Sequence, residues 1–155
     1  MKEIDRGDIL VRMERSIEIN APPEKVWEIL ALDRLPEWMD EMELQSGKYT
    51  SEVRTPQDKY RVGATAHMVE KRWEYEFEVT ESHENERMSV HSIGKYKIDL
   101  TFILKPVDGG TKFTFRGDAE MPWGILGKAI WGLLGGAAEK QLKRTLEKLK
   151  SILEK

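Results

Sequence analysis

His67, His83 and His91 are the only histidines in the chain, and none forms a close-spaced pair. The sequence contains no cysteine, so a zinc site would have to recruit carboxylates from across the fold, and no metal is expected. Thiol nucleophiles and disulfide scaffolds are excluded by the same absence. His67 and His91 fall in predicted strands, where they have either ordinary surface roles or a part in orienting a polar ligand. No nucleophile elbow, phosphate-binding glycine loop or dinucleotide fingerprint is present. The GLLGG run at 132–136 follows no strand and has no partner carboxylate. Asp99 and Asp118 alternate with aromatic rows and so face away from them. The sequence therefore offers no catalytic residue and implies no cofactor. Arg15 is the unusual charge because it falls on the apolar side of its strand. A guanidinium there needs a carboxylate, a carbonyl or an anionic ligand to offset its desolvation, unless a bulge turns it outward.

The elements that must position such groups are mostly strands. In 9–19, Val11, Met13, Ile17 and Ile19 share one parity while Arg12, Glu14, Ser16 and Glu18 take the other, the pattern of a sheet with one wet face. A short helix follows, with prolines near its start and Val26, Trp27, Ile29 and Leu30 as its buried stripe. A second helical piece, 32–42, is broken by Pro36. In 72–82, Trp73, Tyr75, Phe77 and Val79 alternate with Glu74, Glu76 and Glu78, the clearest strand in the sequence. Tyr96, Ile98, Leu100, Phe102 and Leu104 line one face of the strand at 96–107. Beyond a turn at 108–110, Phe113 and Phe115 continue that face. With weaker strands at 42–50, 60–69 and 86–93, six or seven antiparallel strands are predicted, in a single domain spanning 1–155.

The last element, 124–154, reads as one long helix of about 45 Å if unbroken. Trp131, Leu134, Ala138, Leu142, Thr145, Leu149 and Ile152 form one row, with Leu146 and Leu153 beside it, and this row should lie on the sheet. A second apolar row, Leu126, Ile130, Leu133 and Ala137, exists only in the N-terminal half. Lys128 is the one charge between Pro122 and Ala138 in a chain that is 34% charged. Each interior glycine costs about 1 kcal/mol in a helix, which marks Gly135-Gly136 as the place for a kink or a boundary. A greasy half-helix weakened by glycines is suited to covering an apolar cavity.

With 25 basic and 28 acidic residues and a net charge of -3, the chain lacks the concentrated basic character of a nucleic-acid binder. Its N-terminus lacks the apolar core of a secretory signal, no run is long enough to span a membrane, and a cytoplasmic location is expected.

Taken together, Asn20, Ala21, Pro22, Val26 and Trp27, then Pro36-Glu37-Trp38, Gly63 ahead of a central strand, and the long final helix are a recognisable pattern. The chain resembles the START-like, or Bet v 1-like, helix-grip superfamily, which includes polyketide cyclase/dehydrase and lipid-transport branches. The resemblance implies an α+β fold in which a curved antiparallel sheet, with two short helices, grips a long C-terminal helix around an apolar cavity. It also implies that the final helix and the stretch before it cover the entrance.

The expected function is non-enzymatic binding, sequestration or transport of a small hydrophobic ligand: a lipid, isoprenoid, quinone or aromatic compound. Candidate ligand-binding residues on the sheet are Arg15, Trp73, Tyr75 and Phe77, followed by Tyr96, Ile98, Leu100 and Phe102, then Phe113 and Phe115. Leu126, Ile130, Trp131, Leu133 and Leu134 are the candidates on the helix. Two other functions fit the same features: a cyclase or dehydratase acting on a hydrophobic substrate, and a module whose 126–133 patch engages a protein partner or a second copy.

Overall fold

The computed structural model describes residues 2–3, 8–71, 74–94 and 97–155, with side chains placed for 12–71, 74–94, 97–120, 136 and 139–155. An eight-stranded antiparallel sheet curls around the C-terminal helix in an α+β helix-grip arrangement. Its first strand, β1 (Lys2–Glu3), is a two-residue addition at one edge. The others are β2 (Asp8–Ile19), β3 (Leu44–Tyr49), β4 (Thr65–Glu70), β5 (Glu74–His83), β6 (Arg87–Ile93), β7 (Lys97–Val107) and β8 (Gly110–Pro122). The spatial order is β1-β2-β8-β7-β6-β5-β4-β3. Strands β3 to β8 thus form a meander, and β2 closes onto β8.

The chain crosses from β2 to β3 through α1 (Pro23–Glu28) and two 3-10 turns, Leu32–Glu37 and Asp40–Met42. Pro23 sits at a helix start, where its missing N–H costs nothing, and Glu24 lies in the same positive first turn. Pro36 stands inside the second piece, which is a 3-10 turn rather than an α-helix, in keeping with the backbone donor that proline lacks. Close approach makes this crossing compact. A Cβ on Gly47 of β3 would fall 2.6 Å from the Leu32 carbonyl oxygen, so glycine lets the turn lie directly on the strand. Gly63, at φ +94°, turns the chain just ahead of β4.

The final element, α2 (Trp123–Leu153), is one continuous helix of 31 residues. No helix boundary falls at Gly135-Gly136. A single unbroken hydrogen-bonded helix carries both glycines because the strong helix formers that follow, and the packing of that half, outweigh a propensity cost of about 1 kcal/mol each. Leu142, Thr145, Leu146 and Leu149 are buried, and Ile152 and Leu153 are partly buried against the core, as the predicted row requires. Polar ties fix the same half. Lys148 pairs with Asp40 at 2.5 Å and Arg144 with Glu41 at 3.3 Å. Lys150 donates to the Glu18 carbonyl, and Glu154 accepts from the Asn20 amide. None of the helices among the described residues is long and apolar enough to cross a membrane.

Candidate functional site

The concave face can be read row by row from strand register. Arg15 of β2 lies opposite Phe115 of β8, which faces Phe102 of β7, which faces Met88 of β6. The next row outward is Met13, Gly117, Leu100 and Val90. Beyond it come Ala119 and Ile98, with Ser92 accepting the Ile98 amide hydrogen at 2.8 Å and pairing across to Phe77. Tyr75 of β5 lies opposite Met68 of β4, and Glu70, two residues on, shares the face of Ala66 and Met68.

One end of this face is filled. Trp38, from the crossing between β2 and β3, is fully buried, and its ring meets those of Phe102, Phe113 and Phe115 edge-on at 5.7, 5.9 and 6.4 Å. Its indole Nε1 donates to the Ile29 carbonyl at 3.2 Å, which satisfies the one polar atom it brings inside. Leu142, Leu146 and Leu149 of α2 belong to the same cluster. Phe102 and Phe113 have 0% exposed surface, Phe77 and Phe115 1%, and Leu100 6%, so these five candidates are packed against protein on every side.

The other end is thinner. Along β8 the inward side chains run Phe113, Phe115, Gly117, Ala119, falling from aromatic to almost nothing. The Phe115 ring leans into the gap, since a Cβ on Gly117 would lie 3.3 Å from Phe115 Cε1 and 3.4 Å from Leu100 Cδ2. Around this band Met13, Tyr75 and Ile98 pack on the core while keeping part of their surface free. Tyr75 stands edge-on to Phe77, with ring centroids 5.0 Å apart, and its hydroxyl donates to Glu70 Oε2 at 2.6 Å. Burial, reinforced by the Glu70 charge, pushes the Tyr75 phenol far above its ordinary pKa, so the hydroxyl remains a donor at neutral pH.

Arg15 occupies the inward parity without being buried. The β2–β8 register runs unshifted from Asp8 to Ile19, so no bulge turns it away. It is nonetheless exposed. It borders a groove of about 300 Å³ between β2 and α2, shared with Arg12, Met13, Glu14, Glu139 and Leu142.

The remaining charged candidates lie on the outer face. His67 sits 3.6 Å from Glu74, and His91 Nδ1 lies 2.7 Å from Asp99. Asp118 holds Arg12 at 2.7 Å. Both histidines have the parity opposite to Met68 and Val90, so they lie on the other face from those residues. Among the described residues no three His, Asp or Glu side chains converge as a metal site. Trp73 and Tyr96 lie outside the described residues, as do the side chains of Leu126, Ile130, Trp131, Leu133 and Leu134. Glu70 is absent from the sequence-derived candidates. Its parity with Ala66 and Met68 was the available signal, but the strand predicted there ends at Val69.

The family described as polyketide cyclase/dehydrase and lipid transport matches residues 11–154. No curated protein matches the chain. Among solved structures, protein BH1534 of Bacillus halodurans superposes with a TM-score of 0.70 at 18% identity, covering 96% of this chain and 99% of its own. Protein DR_A0006 of Deinococcus radiodurans gives 0.67 at 15% identity, covering 93% and 98%. The Aha1 dimer of Colwellia psychrerythraea gives 0.64 at 20% identity, covering 93% and 96%. At these identities the likeness is one of fold.

Proposed function

Because the chain belongs to the polyketide cyclase/dehydrase and lipid-transport family, we propose that it binds a small hydrophobic molecule non-covalently, for sequestration or transfer, at the thin end of its concave face. One contrast carries this reading: a face filled by Trp38 and three phenylalanines at one end gives way to Gly117 and Ala119 at the other, beside partly free Met13, Tyr75 and Ile98. The apolar row Leu126, Ile130 and Leu133 in the first half of α2 supplies the cover. Burying apolar ligand surface contributes about 25 cal/mol per Å² before ordering costs.

The test is titration of freshly purified, delipidated protein with a panel of lipids, isoprenoids, quinones and aromatics, read by native mass spectrometry and calorimetry. A saturable one-to-one complex, weakened about tenfold or more by Leu133→Asp with an unchanged circular dichroism spectrum, is expected. A folded, empty protein that binds nothing in the panel would overturn the proposal.

A further inference from the structure

Glu70 and Tyr75 make a polar pair on a face otherwise built of Ala66, Met68 and Phe77. The phenol spends its hydrogen on Oε2, so what the pair offers outward is acceptor capacity: Oε1 and the remaining lone pairs of a carboxylate. Among the described residues no lysine, arginine or histidine pairs with Glu70. Among the described residues the one partner of this half-buried carboxylate is a neutral hydroxyl, which compensates it incompletely. A donor on a ligand would complete it, whereas a ligand carboxylate would meet like charge in a poorly solvated place. Arg15, the inward-parity cation on β2, is separated from β4 by four strands, β8, β7, β6 and β5. It stands exposed, and among the described residues no ion pair joins it to Glu70.

We infer that the hydrophobic ligand carries a hydrogen-bond donor, a hydroxyl or a protonated amine, which is read by Glu70 with Tyr75 holding the carboxylate in place. This rests on the proposed use of the concave face for ligand binding and adds to it the chemistry of the polar end.

The test compares four twelve-carbon probes below their micellar concentrations: dodecanol, dodecylamine, dodecanoate and the methyl ether of dodecanol. Competition against Nile red gives the affinities. Wild type should bind the alcohol and the amine about tenfold more tightly than the ether, the ratio expected for one charge-assisted hydrogen bond, and the dodecanoate least. Glu70→Gln, which keeps the shape and removes the charge, should erase the amine's advantage and admit the dodecanoate. Tyr75→Phe should weaken discrimination while leaving the amine ahead of the ether. Equal affinities for alcohol, amine and ether, or a ranking that survives Glu70→Gln in folded protein, would overturn the inference while leaving hydrophobic binding intact. A lead for dodecanoate that Arg15→Ala removes would overturn it in favour of anion recognition at the β2 rim. Failure of all four probes to displace or bind would count against the concave-face site itself, and the inference would fall with it.

Discussion

Trp38 shows how a single side chain decides which part of the concave face is solid. It is fully buried, donates its one polar hydrogen to Ile29, and braces three phenylalanines from two strands. Trp38→Ala should cost about 3–5 kcal/mol, a large share of the roughly 5–15 kcal/mol that holds a domain together. Trp38→Phe should cost less, through a smaller cavity and the lost indole donor, and keep the protein folded. Urea midpoints at constant m-value measure both. Arg15 is the counter-case: exposed and, among the described residues, without an ion pair, it should tolerate Arg15→Leu within about 0.5 kcal/mol. The contrast explains what sequence could say of individual positions. Alternation alone put Arg15 and Phe115 on the same side, as the register confirms. It could not say that one would be sealed and the other open, because that depends on what lies across the sheet from each. The Glu70–Tyr75 hydrogen bond was hidden for a similar reason, being made between neighbouring strands rather than along one.

At the level of elements, α2 divides into a docked half and a glycine-bearing half within one helix. Leu146→Ala removes a buried anchor of the docked half and should cost about 2–5 kcal/mol, read as a lowered urea midpoint. Gly136→Ala should act the other way. Gly136 is exposed and a Cβ there would have nothing within 4 Å, so alanine should stabilise by about 0.4–1 kcal/mol and raise the melting temperature by a few degrees. No gain, or a loss, would mean that the glycine serves a bend or a contact of the functional protein. These elements were largely legible beforehand. Alternating strands such as β5 and β7 and the anchored row of α2 announce themselves through periodicity, since their faces are decided by burial on one side. The 3-10 form of 32–37 and the unbroken passage through Gly135-Gly136 were less visible, because both turn on tertiary packing that outweighs local propensity.

Across the whole molecule, the same ties predict a pH profile with two distinct limbs. Among the described residues three carboxylates are held below their ordinary pKa values. Asp58 is lowered by the Thr55 and Arg54 amides and then by Arg61, Glu81 by Arg87 and Ser89, and Glu154 by Lys150 and the Asn20 amide. A carboxyl lowered in the folded state contributes stability that is present above its unfolded value, 3.8 for Asp58 and 4.5 for the glutamates, and is lost as pH falls through the lower folded value. Phenols do the reverse. Burial raises Tyr75 and Tyr49, and raises Tyr60 to about 12 from an ordinary 10.0. Their contribution is complete below 10.0 and is lost as pH climbs toward the folded values. Urea midpoints should therefore fall on both sides, with the acid limb beginning below about pH 4.5 and the alkaline limb above about pH 10. Asp58→Asn should lower stability at neutral pH and converge with wild type in acid, where the wild-type carboxyl is also uncharged. Tyr60→Phe should flatten part of the alkaline limb and leave the acid limb unchanged. Were Asp58→Asn to run parallel to wild type across the acid range, the Thr55 and Arg54 amides would not be holding a charged carboxylate. The tie between the 3-10 turn at Pro56–Lys59 and the loop before it would then owe its strength to shape alone.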